Sequence, residues 1–177
     1  VIFISGGVRS GKSAFAETCA QSLAERYQQP LIYAATAVAF DEEMQQRIQR
    51  HQYDRATHQW QTIEVPYHLQ PLYDVDGIIL LECVTTWVSN ILYKYPTTWH
   101  DYIEQFKKLC LHKKETLIIV SNELLHEVPS KYAETEQYRQ ILGKLHQWLV
   151  QESDAAYACT FGHIHQWKGA PTCKDFC

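Results

Sequence analysis

An α/β domain with a mostly parallel sheet and helices on both faces is the fold this sequence predicts, on three observations. Short apolar runs alternate with longer amphipathic stretches along nearly the whole chain, as in successive strand–helix–strand units. The apolar runs read as strands buried on both faces rather than as half-exposed ones. No internal repeat, low-complexity tract or Pro/Gly/Ser-rich linker divides the 177 residues, a length that one hydrophobic core can organise. A single domain is expected over residues 1–168, followed by a C-terminal tail over 169–177.

The elements follow in order. Val1–Ser5 reads as a buried strand. Lys12–Arg26 reads as a helix, because Phe15, Cys19 and Leu23 fall on one face. Leu31–Ala35 is a second strand after Pro30. Asp41 is placed to start a helix running to about Tyr53, since Asp-Glu-Glu suits the positive end of a helix dipole. Trp60–Val65 alternates as a strand and Pro66 ends it; Gly77–Leu81 is a further buried strand, with a helix across Thr86–Tyr93. Pro96 breaks the chain before a helix at Trp99–Lys113, with Tyr102, Phe106, Leu109 and Cys110 inward. Thr116–Val120 is a strand, Glu134–Gln151 a long helix, and Ala155–Thr160 the last buried strand.

Composition narrows the function classes. Hydrophobic residues make up 46% and charged residues 20%, which fits a folded domain and not a disordered tail. The longest apolar run, about Gly77–Leu81, is far below the roughly 20 residues of a membrane span. Sixteen basic and twenty acidic residues give a net charge of −4, which argues against nucleic-acid binding through a broad basic face. A phosphate-bearing ligand stays open, because backbone amides hold phosphate without excess positive charge. The N-terminal stretch lacks the basic region of a secretory signal. Six cysteines (Cys19, Cys83, Cys110, Cys159, Cys173 and Cys177) form no C-x-x-C pair, so reduced thiols in a soluble cytoplasmic protein are expected. Cys173 and Cys177, with His163 and His165 nearby, match no standard zinc spacing and read as part of a polar tail.

The informative segment is Gly6-Gly7-Val8-Arg9-Ser10-Gly11-Lys12-Ser13, a full match to G-x-x-x-x-G-K-[ST] directly after a strand and opening a helix. Its glycines let successive N–H groups converge on one phosphate, and the helix dipole favours the anion. Lys12 is placed to reach the β- and γ-phosphates, and the Ser13 hydroxyl to ligate Mg²⁺. This motif refines the expected fold to a P-loop NTPase-like three-layer sandwich. Glu82, at the end of Ile78–Leu81, stands where a carboxylate for that metal belongs; the other reading is a solvated glutamate after a strand. The loop alone leaves open whether phosphate goes to water, protein or a small molecule, though Arg9 leans towards a small kinase.

Arg47, His51 and Arg55 recur at i, i+4 and i+8, so on a helix they share a face. Two guanidiniums around a neutral imidazole can hold phosphate oxygens while the ring attacks phosphorus. By themselves these residues read rather as the solvated basic stripe of a surface helix. The other histidines have no such company and read as surface or core residues.

Five ordered segments together resemble the bifunctional adenosylcobinamide kinase / adenosylcobinamide-phosphate guanylyltransferase family of cobalamin biosynthesis. They are the Gly6–Ser13 loop with its arginine, Tyr33–Thr36 with Asp41–Met44, Arg47–Arg55, Leu80–Asn90 and Ser121-Asn122-Glu123. The resemblance implies that a nucleoside triphosphate phosphorylates the aminopropanol hydroxyl of adenosylcobinamide. GMP from GTP then passes through a guanylylated histidine, here His51, to give adenosylcobinamide-GDP. It further implies that ATP and GTP are substrates, that Mg²⁺ is the cofactor, and that the protein is a homo-oligomer, a trimer in the family. The guanine nucleotide is expected near Thr36, Ala37, Val38, Gln52, Tyr53, Asp54, Arg55, Glu64 and Glu82. The chain departs from the family pattern in five places: Leu124–Pro129 replaces a glycine-rich loop, Arg50 stands where a histidine is frequent, His146 replaces an asparagine, Lys94–Glu115 is shortened, and the Cys173/Cys177 tail has no counterpart. A single-activity kinase and a non-catalytic nucleotide-binding descendant are the alternatives.

Overall fold

The computed structural model describes residues 1–38, 59–124 and 132–169. Their elements are β1 (Ile2–Gly6), α1 (Lys12–Tyr27), β2 (Leu31–Ala35), β3 (Gln61–Glu64), β4 (Ile78–Glu82), α2 (Val84–Lys94), α3 (Trp99–His112), β5 (Leu117–Asn122), α4 (Ala133–Glu152), β6 (Ala155–Thr160) and β7 (His163–Lys168). The helix expected from Asp41 to Tyr53 lies outside the described residues.

The strands form one sheet in the order β3-β2-β4-β5-β1-β6-β7. Neighbours are parallel up to β6, and β7 runs antiparallel to β6. Successive side chains of a strand point to opposite faces, and the core divides accordingly. Ile2, Ile4, Ile78, Leu80, Ile118 and Val120 pack with Phe15, Ala16, Cys19 and Ala20 of α1. Phe3, Ile79, Leu81 and Ile119 pack on the other face with Trp87 and Ile91 of α2, Phe106 and Leu109 of α3, and Leu142 and Leu149 of α4. The expected three layers are therefore present. Small residues at Ala16, Cys19 and Ala20, all fully buried, let α1 lie close over the sheet.

The structure extends the expected strands in two places. Ala155–Thr160 is the last buried strand, as expected, and β7 follows it as a sheet edge. Its residues are mostly exposed, so a buried-strand pattern does not mark it. The turn is local: Phe161 (φ 50°) and Gly162 (φ 83°) both lie in the left-handed region, as a two-residue hairpin requires. In addition, β5 continues past Val120 to Asn122, bringing the Asn opposite Gly6 in register.

Sheet order decides where chemistry can occur. The carboxyl ends of the parallel strands bring Gly6, Ala35, Glu64, Glu82, Asn122 and Cys159 to one edge. The chain leaves β1 towards the α1 face, and leaves the adjacent β5 towards the α4 face. Such a divergence opens a crevice at the strand ends, where ligands of α/β sheets bind.

Candidate active site

The phosphate loop fills that crevice. Ser10 N–H donates to Gly7 O at 3.3 Å, and Arg9 and Gly11 take φ of 57° and 91°, so the chain curls before α1. Gly11 is the N-cap of α1 and no side chain caps it. The first amide donors of the helix are therefore left for a ligand. A Cβ on Gly6 would meet Cys159 O at 2.4 Å, whereas a Cβ on Gly7 would meet nothing within 4 Å. The first glycine is required by packing against β6 and the second borders open space. A depression of about 320 Å³ lies over Arg9–Ala14.

Lys12 is buried, and its Nζ donates to Gly7 O at 3.2 Å. Among the described residues it forms no ion pair. A buried ammonium served by a carbonyl is costly until an anion joins it, which suits a phosphate. Its positive charge also offsets part of the rise that burial imposes on the Cys159 thiol.

Ser13 and Glu82, 69 residues apart, meet across the crevice. Ser13 Oγ donates to Glu82 Oε1 at 2.5 Å, and Tyr33 OH donates to Glu82 Oε2 at 3.3 Å. A hydroxyl and a carboxylate side by side below the phosphate loop are the oxygen donors a hard divalent cation takes, so the residues fit Mg²⁺.

The Glu82 backbone is held from below. Thr36 is fully buried; its Oγ1 accepts from Cys83 N–H at 2.8 Å and lies 3.0 Å from Glu82 O and 3.1 Å from Cys83 O. Asn90 Nδ2 donates to Thr36 O at 2.8 Å and to Pro66 O at 3.0 Å. Thr36 thus clamps β2 to β4 at the Glu82–Cys83 peptide bond, which is cis. Its hydroxyl is engaged with the Glu82 and Cys83 backbone, which gives it a positional part in the site. Ala37 and Val38 follow it half-buried, and Glu64 is exposed at the end of β3. His51, Gln52, Tyr53, Asp54 and Arg55 lie outside the described residues, as do Arg47, Cys173 and Cys177.

Several groups near the edge have no counterpart among the expected site residues. Cys83 Sγ lies 2.8 Å from Thr85 Oγ1 and 3.1 Å from Thr86 Oγ1, and Asn122 Nδ2 donates to Thr85 Oγ1 at 3.0 Å. Behind them Ser121 Oγ and His146 Nε2 are 2.7 Å apart, with the imidazole tilted against Phe3. Burial pushes the His146 pKa down to about 4, with Glu123 pulling weakly the other way. The imidazole is neutral at pH 7, a core residue. A cavity of about 540 Å³ between α3 and α4 shares no residue with the loop; motif and strand order, not cavity size, locate the site.

A curled glycine loop after β1, a buried lysine and a hydroxyl–carboxylate pair at the edge of a parallel sheet define a P-loop nucleotide-binding protein of the α/β class. The flagellar accessory protein FlaH from Methanocaldococcus jannaschii shares the fold, with a TM-score of 0.52 at 15% identity over 97% of this chain and 79% of that one. Residues 2–166 match the family described as cobinamide kinase / cobinamide phosphate guanyltransferase, and the chain belongs to that family of transferases. It is 30% identical to the bifunctional adenosylcobalamin biosynthesis protein CobU of Escherichia coli (strain K12), over 92% of this chain and 96% of the relative. With CobP of Pseudomonas aeruginosa the identity is 31%, over 95% and 97%.

Proposed function

We propose that this protein catalyses both reactions of its family, phosphorylating adenosylcobinamide and then transferring GMP to the product. The observation that carries the first half is the buried Lys12 inside the phosphate loop, beside the Ser13–Glu82 pair. In the kinase step the corrinoid hydroxyl oxygen attacks the γ-phosphorus of ATP or GTP and its proton passes to solvent. The bond to the β–γ bridging oxygen breaks and a nucleoside diphosphate leaves. Gly6, Gly7, Val8, Arg9, Ser10 and Gly11 orient the phosphates through backbone N–H groups, and Lys12 balances charge on the transferring group. Ser13 and Glu82 would hold Mg²⁺, which supplies charge neutralisation at the phosphates when bound. No described helix is long and apolar enough to cross a membrane; we assign the enzyme to the cytoplasm as a homotrimer on the family resemblance.

The guanylyltransferase half rests on the motif around His51. There a ring nitrogen attacks the α-phosphorus of GTP, a P–N bond forms and pyrophosphate leaves; a corrinoid phosphate oxygen then takes the GMP and frees the imidazole. The histidine splits one displacement between two anions into two displacements, each with an activated partner. Gln52, Tyr53, Asp54, Arg55, Ala37, Val38 and Glu64 would surround that nucleotide.

Intact-protein mass spectrometry after incubation with GTP and Mg²⁺ tests this reading. An acid-labile GMP adduct is expected on the parent and not on His51→Ala. An equal adduct on His51→Ala overturns the covalent route. No adduct on the parent, with adenosylcobinamide still phosphorylated, leaves a kinase alone.

A further inference from the structure

The β6–β7 hairpin carries features that fold and phosphate loop leave unexplained. Phe161 is 93% exposed and Trp167 60% exposed, and both line a cavity of about 400 Å³ with Gly6–Ser10, Glu123 and Thr160. Phe161 holds φ 50° as the first residue of the two-residue turn, a position that favours Asn, Asp or Gly over a bulky ring. Trp167 sits at the irregularity in the β6–β7 ladder: Gln166 pairs with Tyr157 and Lys168 with Ala156, which leaves Trp167 as the extra residue. Bulges re-aim side chains beside functional sites.

The hairpin is also tied to the phosphate loop. Gly162 N–H donates to Ser10 O at 3.0 Å, and a Cβ on Gly11 would lie 3.6 Å from Gly162 Cα. The Ser10 hydroxyl is buried, has no hydrogen-bond partner among the described residues, and borders both this cavity and the depression over the loop. Strand order fixes the polarity. β1 has β5 and then β4 on one side and β6 on the other, and the Ser13–Glu82 pair lies on the β4 side. A triphosphate with its terminal phosphate at that pair leaves its nucleoside on the β6 side, where the two aromatics stand.

Building on the reading of Gly6–Ser13 as a triphosphate loop, we propose that Phe161 and Trp167 form the platform that stacks the purine base of the kinase-step nucleotide. The cavity is of ligand-pocket size, within roughly 300–1,000 Å³. Stacking takes a π-face rather than a base edge, so adenine and guanine are both accepted. The guanylyl residues Ala37, Val38 and Glu64 follow or end β2 and β3, across the sheet from β6. The two nucleotides of the reaction sequence therefore place their bases on opposite flanks of β1.

The test is calorimetric titration of Mg·ATP and of Mg·tripolyphosphate, which has the phosphates and no base, into the full chain and into Phe161→Ala, Trp167→Ala and the double variant. ATP affinity is expected to fall roughly tenfold in each single variant, the lower part of what loss of one stacked ring does. Tripolyphosphate affinity is expected to be unchanged, and Trp167→Phe to recover most of the loss. ATP affinity within twofold of the parent in the double variant overturns the proposal. So does an equal loss for tripolyphosphate, which would mean that the hairpin only shapes the loop. A change of oligomeric state without loss of ATP binding would assign the aromatics to contact between copies of the chain. Failure of the parent to bind tripolyphosphate would instead sink the loop reading beneath it.

Discussion

Replacing Thr36 with valine keeps the shape of a fully buried side chain and removes its one polar atom. That oxygen accepts from Cys83 N–H at 2.8 Å and lies within 3.1 Å of the Glu82 and Cys83 carbonyls. A partly buried N–H left without its partner costs about 1–3 kcal/mol, and the lost donation to a carbonyl about 1 kcal/mol more. We take about 3 kcal/mol for Thr36→Val. Thr36→Ser keeps the oxygen and loses a methyl group, about 1 kcal/mol. For a chain of this size each kcal/mol lowers Tm by roughly 2–4 °C. Thr36→Val should therefore melt about 6–12 °C below the parent and Thr36→Ser about 2–4 °C below, followed by far-UV circular dichroism. Glu82 sits on the clamped peptide bond, so the valine variant should also lose kcat at saturating nucleotide, measured with adenosylcobinamide. A valine variant that melts within 2 °C of the parent, or a serine variant that falls equally far, would refute the clamp.

Three further outcomes are expected. Lys12→Ala should lower kcat/KM of the kinase step by roughly 100-fold or more, as loss of an aimed charge does, with Tm little changed; a coupled kinase assay reads it. Gly6→Ala drives a Cβ to 2.4 Å from Cys159 O, overpacking that costs about 1–3 kcal/mol, so its melting point should drop by several degrees while Gly7→Ala, which meets open space, melts like the parent. His146 has a folded pKa lowered from 6.5 to about 4, so between these values the unfolded chain binds the extra proton and stability rises with pH. The contribution is complete above pH 6.5 and falls away as pH drops towards 4. Urea unfolding at pH 7 and pH 4.5 should show parent stability falling more than that of His146→Gln, by about 2–3 kcal/mol.

The candidate site was legible where its chemistry is local. The curled loop needs glycines, a lysine and a hydroxyl within eight consecutive residues, so the motif and the flanking strand and helix announced one another. Glu82 was legible for the same reason, as the first polar residue after an apolar strand. His51 was not legible from spacing alone, because a basic stripe on a helix and a phosphate-transfer site share one pattern; its role rests on the family motif. For Thr36 the structure adds what no neighbouring residue signals, that its hydroxyl serves Glu82 and Cys83.

The amino-acid pattern by itself determined the alternation of strands and helices, the phosphate loop and the family. These depend on periodicity and on residues a few positions apart. Tertiary structure alone decided the rest: that β1 lies between β5 and β6, that Ser13 meets Glu82 across 69 residues, and that Asn90 reaches Thr36 across 54. It also paired the polar β7 with β6, an edge strand that buries too little to leave a hydrophobic signature. Contacts of that range depend on sheet order, and sheet order follows from how two apolar faces are covered at once, which no single segment records.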